Sequence, residues 1–392
     1  MLGAGNRTAD IAVIGAGVMG ASIAFHLAQR RPGSVVVLEK DHTGQGASGR
    51  SSALVRMHYS FAPEVQLAVK SLEIFQRWEE IVGEPSAFRK TGFVRLVPKN
   101  ELDRLKANVA MQKACGARAE VIGCDDLRKL EPDWNLEDDP AAAYEPDGGY
   151  GDGAIVASDF MAAARAQGVS YLPRTNVTGF LLDGDRICGI RTDKGDLEAP
   201  VVVLATGQWS GRLLKKLGVS LPIDTEFHQV AILRNVPEMK GGGCACIDSV
   251  TTLYFRSDGP DKTLIGDFYG QKGIDPDLFP QHPSDEWLIE IGNRACRRIP
   301  RLRDAGLMRG ITGVYDMTPD SRPLLGEVPG IRGLHVVAGF SGMGFKISPA
   351  VGLVMSELLL DGRGQTVDIS AFRPERFEEG KPIKAEFEYQ NE

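Results

Sequence analysis

The stretch DIAVIGAGVMGASIAFHLAQRRPGSVVVLE, residues 10–39, decides the fold. Asp10 to Ile14 is a short apolar run suited to a buried strand, and Gly15, Gly17 and Gly20 follow it in G-x-G-x-x-G spacing. An amphipathic helix is expected from about Val18 to Arg30, stopped by Pro32 and Gly33, before a second buried strand from Val35 to Leu38. Strand, glycine turn, helix and strand make one βαβ unit of a parallel sheet. The glycines have separate tasks. Gly15 permits the tight turn, Gly17 lets the backbone approach a ligand, and Gly20 lets the helix lie close on the strand.

The helix start offers free amides and the positive end of its dipole, so a pyrophosphate is the ligand expected there. Glu39, at the end of the second strand, would accept hydrogen bonds from ribose hydroxyls and disfavours a 2′-phosphate. This is a dinucleotide site. Ala16, Val18, Met19 and Lys40 are assigned to its wall, with Ser48, Ser51 and Ser52 from the next loop. The motif alone leaves FAD and NAD open.

Farther along, helices are expected near Glu64 to Val82 and Glu101 to Ala114, alternating with strand-like pieces such as Gly92 to Val97. Tyr144 to Gly153 (YEPDGGYGDG) reads as turns, Ser158 to Gln167 as helix, and Val177 to Leu182 as a strand ending in a hairpin at Gly184-Asp185. Val201 to Ala205 is a further buried strand. From Leu221 to Gly313 strands alternate with turns, with one helix near Ser284 to Ile299. Leu334 to Ala338 is the last strand, and a glycine-rich turn leads from it into a helix ending near Leu360. The expected fold is α/β: a discontinuous Rossmann-like dinucleotide domain (1–85, 151–220 and 318–370) and a second, antiparallel-sheet α+β domain (86–150 and 221–317). Residues 371–392 are read as a C-terminal tail.

The 392 residues are 43% hydrophobic and 25% charged, which suits about two globular domains and argues against disorder. Acidic residues outnumber basic ones, 52 to 45, with no basic stripe, so no nucleic-acid partner is expected. No apolar run approaches the roughly 20 residues that span a bilayer, and the first ten residues lack the pattern of a secretory leader. Six cysteines make no disulfide framework, and Cys244 and Cys246, with no histidine nearby, read as reduced thiols and not as a metal site. A cytoplasmic protein without a metal is the expectation.

Two further segments choose the cofactor. VVVLATGQWS (201–210) and TPDSRPLLGEVPGIRGLHVVAGFSGMGFKISPAVG (318–352) resemble, in order with the first motif, the D-amino-acid oxidase superfamily. Within it the likeness is to the branch of sarcosine oxidase, dimethylglycine oxidase and glycine oxidase, from Asp10 to about Ile369. The resemblance implies that FAD is the cofactor, with Val177, Thr206, Gly207, Trp209, Gly342, Met343, Gly344, Phe345 and Lys346 along it, and a substrate domain above the flavin.

The same resemblance assigns Arg56 and Lys346 to the substrate carboxylate, and places Tyr254 on the pocket floor, as a substrate contact or a core residue. A guanidinium and an ammonium can hold one carboxylate through charge-assisted hydrogen bonds and so present the C–N bond to the flavin. His58 lies near this site and reads as a packing or exposed histidine. Met57, Tyr254, Phe268 and Met343 imply an apolar pocket with room for a bulky N-substituent.

Two features depart from the family pattern. Gly313 and Arg50 stand where relatives carry the cysteine or histidine that binds flavin covalently, so non-covalent FAD is expected. Leu264 stands where the monomeric oxidases carry an oxygen-activating lysine, with Lys262 two residues earlier. The implied reaction is oxidation of an amino acid, a secondary amine such as an N-substituted glycine, by hydride transfer to flavin N5. The imine then hydrolyses to an amine and a carbonyl product, and O₂ is the acceptor. The alternatives are a dehydrogenase of proline or dimethylglycine type that passes electrons to a partner, and a non-catalytic nucleotide-binding protein. The reading allows an oligomer.

Overall fold

In the computed structural model the described residues are 7–237, 239, 243–385, 387 and 389. The strands Ile331–Ala338, Val201–Leu204, Ile11–Ile14, Val35–Leu38 and Ser170–Leu172 lie side by side and parallel in a ten-stranded sheet, with Ser170–Leu172 at its edge. Val202 pairs with Ala12, which pairs with Val36. Residues 11–14 and 35–38 are buried throughout, so IAVI and VVVL read as continuous apolar runs and not as alternation. The hairpin Val177–Asp183/Arg186–Thr192 turns at Gly184, whose φ of +59° suits glycine. A second hairpin is formed by Leu324–Val328 pairing with Ile331–Ala338, off the main strand order.

The first helix, Val18–Arg30, keeps its expected span but is not amphipathic: every residue from Val18 to Ala28 is buried. Helices Gly153–Ala166 and Gly344–Asp361 both pack against it, and Ala62–Gln76 packs on the latter. Small residues make that possible. A Cβ on Gly20 would lie 1.9 Å from the Gly15 carbonyl oxygen, and one on Gly352 would lie 2.0 Å from Ser22 Oγ.

Part of the stretch expected to be turns is strand, at Ala141–Glu145 and Gly149–Tyr150. Its alanines carry little intrinsic β preference, but Phe93–Val97 and Glu120–Ile122 pair with Ala141–Glu145 from either side. Helix Gly153–Ala166 starts earlier than the apolar pattern implies, because Asp152 Oδ1 accepts the Ala154 and Ile155 N–H groups at 2.9 and 3.0 Å.

The second sheet has nine strands and is antiparallel apart from the contact of Ala245–Asp248 with Phe93–Val97. Asp224–Arg234 and Gly306–Met317 pair along their whole length. Apolar side chains of helix Asp285–Arg298, including Ile291 and Ala295, join one core with Phe255 and Ile265. Another cluster unites Tyr254, Leu264 and Val230 with Leu54 and Phe93. The expected fold class, a parallel dinucleotide sheet with an antiparallel-rich companion, is the one observed. Beyond residue 370, Phe372 and Arg376 are buried, and Arg376 pairs with Asp320 at 2.9 Å.

Candidate active site

A cavity of about 620 Å³ opens beside Ile14, Leu38 and Ala205, where three parallel strands end, the usual ligand position in an open α/β sheet. Gly15 has φ +101°, and a Cβ there would lie 2.4 Å from the Ala205 carbonyl oxygen, so only glycine fits. Val18 N–H donates to Ser48 Oγ at 3.0 Å. Glu39 is fixed by two backbone amides: Oε2 accepts from Ala16 and Oε1 from Asp41, each at 2.9 Å. Each oxygen keeps a lone pair for a ribose hydroxyl. Glycine cradle, helix start and anchored carboxylate fit a dinucleotide such as FAD.

From the first motif, Gly15, Gly17, Val18, Met19, Glu39, Lys40, Ser48 and Ser51 line the cavity. Val177, Thr206, Gly207 and Trp209 line it from the middle of the chain, and Gly342, Gly344 and Phe345 from the C-terminal turn. Ala16, Gly20, Ser52, Met343 and Lys346 stand behind this surface. Ala16 holds Glu39, Gly20 packs on Gly15, and the Ser52 carbonyl accepts from Arg256 Nε at 2.6 Å. Met343 N–H donates to the Phe340 carbonyl at 2.8 Å.

Lys346 is buried near the start of helix Gly344–Asp361, and its Nζ donates to the Gly342 carbonyl at 3.3 Å. Burial, and then the charge of Arg56, hold its pKa well below the usual lysine range, while Glu64 pulls the other way. Arg56 lies with its guanidinium carbon 4.3 Å from the Tyr59 ring centroid; its Nη1 donates to the His58 carbonyl, and its buried Nε has no partner. Arg322, which could compete for an acidic ligand, pairs with Glu64 at 3.0 Å. The structure thus brings Arg56 and Lys346 together and leaves Arg56 with donor capacity.

Tyr254 is buried, with its ring over Gly266, where a Cβ would lie 2.3 Å from the phenol oxygen. Burial, and then Tyr315, push its pKa well up. Tyr315 lines the cavity and was not foreseen, although Gly313 and Tyr315 share one face of a strand, which was a usable signal. His228 stacks on Tyr315 with centroids 4.1 Å apart. Asp316 also lines the cavity and was missed; its Oδ2 accepts from Gly339 N–H at 2.5 Å, which ties down the glycine-rich turn. Asp277 and Arg212 were missed as well, and nothing local marks them.

Leu264 is buried among apolar neighbours, and Lys262 pairs with Asp258 at 3.3 Å. A Cβ on Gly313 would lie 3.3 Å from Arg50 Cβ, so these two positions are adjacent. Cys244 and Cys246 are buried and burial raises both thiol pKa values. Among the described residues no group of His, Cys, Asp and Glu side chains is placed to hold a metal, and no helix is long and apolar enough to cross a membrane.

The pattern of the FAD dependent oxidoreductase (DAO) family matches residues 10–358, and the chain belongs to that family. It is 25% identical to mitochondrial sarcosine dehydrogenase of Mus musculus over 94% of its own length, spanning only 41% of that protein. Among solved structures it is similar to L-proline dehydrogenase from P. horikoshii, with a TM-score of 0.89 and 28% identity over 96% of this chain and 100% of that one. It is also similar to glycine oxidase from Geobacillus kaustophilus, with a TM-score of 0.82 and 25% identity over 94% and 99%.

Proposed function

We propose that the chain oxidises a carboxylate-bearing amine, a secondary amine such as an N-substituted glycine, at the C–N bond next to the carboxylate. The observation that carries this is that two cations, Arg56 and Lys346, lie within reach of each other's charge, with Lys346 following the C-terminal turn whose Gly342, Gly344 and Phe345 line the cavity. FAD, when bound, supplies the hydride acceptor. Arg56 offers guanidinium N–H groups to the carboxylate, and the incoming negative charge favours the ammonium form of Lys346. Tyr315 and the buried Tyr254 close the apolar side. The imine product then meets water and falls to an amine and a carbonyl compound. Sarcosine and proline, named in two relatives, are both secondary amines.

FAD is held without a covalent bond in this reading, because neither Gly313 nor Arg50 offers a nucleophilic side chain. Leu264 supports a second reading for the other half-reaction: electrons leave to a partner and not to O₂. The proposed localisation is cytoplasmic, and the domain boundaries at residues 85, 150, 220 and 317 are retained as proposals. An anaerobic spectral titration of the holoenzyme with N-substituted glycines, proline and D-amino acids tests the assignment. Bleaching by a secondary amino acid is the expected result, and rapid return of colour in air marks an oxidase. A flavin that none of these compounds bleaches refutes the assignment.

A further inference from the structure

Behind Arg56 lies a carboxylate with no cation of its own. Glu145 ends the strand Ala141–Glu145 and is fully buried. Its Oε2 accepts the Met57 N–H at 2.8 Å, so it is tied to the residue after Arg56. Its Oε1 has no hydrogen-bond partner and faces His58 Nδ1 across 3.9 Å; that nitrogen is also buried and unpartnered. On its other side His58 meets the Tyr389 hydroxyl at 2.7 Å from Nε2.

We infer that Glu145 is a positioning residue that sets the charge behind the carboxylate anchor: protonated, it leaves Arg56 to the substrate, and ionised, it competes with the substrate for Arg56. The inference rests on the carboxylate-binding reading of Arg56 given above. The charged and titratable groups around Glu145 are Arg56, His58 and Tyr59 on its partner segment, Arg95 on the adjoining strand and Tyr389 beyond His58. His58 is held neutral by burial and then by Arg95 and Arg56, so it supplies no compensating charge. Burial raises the Glu145 pKa to about 7, against the Met57 amide and Arg56, which lower it. The switch between the two states therefore falls near neutrality. Substrate binding favours the protonated form, and the proton lost at higher pH goes to solvent.

The probe is methoxyacetate, an oxygen isostere of an N-methylated glycine that cannot form an imine, followed by the flavin difference spectrum of the holoenzyme from pH 6 to 9. Wild-type affinity is expected to fall about tenfold across neutrality, the size of one added charge in a partly screened site. Glu145→Gln is expected to flatten that fall, leaving only the share carried by Lys346. A Gln variant with the wild-type pH profile overturns the inference. So does calorimetry of wild-type protein at pH 7.5, in buffers of different ionisation enthalpy, if it detects no proton uptake on binding; this arm holds even if the variant fails to fold. A methoxyacetate shift that is absent at every pH refutes the carboxylate-anchor reading itself, whereas a shift unchanged from pH 6 to 9 refutes only the role of Glu145.

Discussion

The Asp277 carboxylate reaches from the loop after strand Gln271–Lys272 to the Arg212 guanidinium of the dinucleotide half, at 2.6 Å. The same carboxylate accepts from Trp209 Nε1 at 2.8 Å and Lys40 Nζ at 3.1 Å, and Lys40 lies 3.5 Å from the Trp209 ring centroid. Asp275 adds a second contact to Arg212 at 2.6 Å. Asp277, Tyr315 and Asp316 alone represent residues 221–317 in the cavity wall among the described residues. A segment of the antiparallel half thus fastens over the cofactor cleft.

Asp277→Asn should therefore speed FAD release. These groups are nearly half exposed, so each contact is worth at most about 1 kcal/mol after screening, and a release rate about threefold to tenfold faster is expected. Recovery of flavin fluorescence after dilution measures it. Because the contacts are ionic, added salt should accelerate release from wild type more than from the variant. Equal rates at low salt would show that the loop does not retain the cofactor.

Lys346→Met should leave FAD in place, since Lys346 stands behind the cavity surface, and should weaken the amino-acid complex. A charge-assisted hydrogen bond lost from a buried site corresponds to a KM increase of about ten- to a hundredfold. Steady-state kinetics beside the flavin-to-protein absorbance ratio separate the two effects. An unchanged KM removes Lys346 from the carboxylate anchor.

Gly20 and Gly292 should respond to alanine in opposite ways. A Cβ on Gly20 meets backbone at 1.9 Å, and backbone cannot yield as a flexible side chain can, so Gly20→Ala should cost about 3 kcal/mol or more and lower FAD content. Gly292 sits in helix Asp285–Arg298 with nothing within 4 Å of its Cβ position, so Gly292→Ala should stabilise by about 0.5–1 kcal/mol. Thermal unfolding of both variants checks the contrast.

These contrasts show what could be read in the chain. The glycine turn, its helix and Glu39 are legible because strand, turn and helix follow one another and each glycine answers to a local demand. Arg56 and Lys346 became candidates only through a family likeness, since a lone arginine or lysine has no signature. Glu145 and Asp277 were illegible for a physical reason. Glu145 acts on a residue 88 positions away, and Asp277 on one 65 positions away, through sheet pairing and loop packing that no sequence period encodes. The buried first helix was misread as amphipathic because its surroundings, not its pattern, fill its second face.

That same helix carries one acid-sensitive side chain, His26. His26 is buried between Val18–Arg30 and its neighbours, with ring centroids 5.0 Å from Phe25 and 6.2 Å from Phe160, and neither ring nitrogen has a hydrogen-bond partner. Burial lowers its pKa from 6.5 to about 4. Above pH 6.5 the folded and unfolded forms are both neutral, and the stability is fully present. As pH falls toward 4 the unfolded chain gains a proton that the folded chain refuses, and about 3 kcal/mol is lost across that window. Glu145 and Asp316, raised by burial to about 7 and about 6, work the other way, because their folded forms keep protons that the unfolded chain releases. Comparison with His26→Leu cancels those contributions. Urea midpoints at pH 7, 5.5 and 4.5 should converge with a shallower acid slope in the leucine variant, and parallel slopes would mean that His26 titrates normally inside the fold.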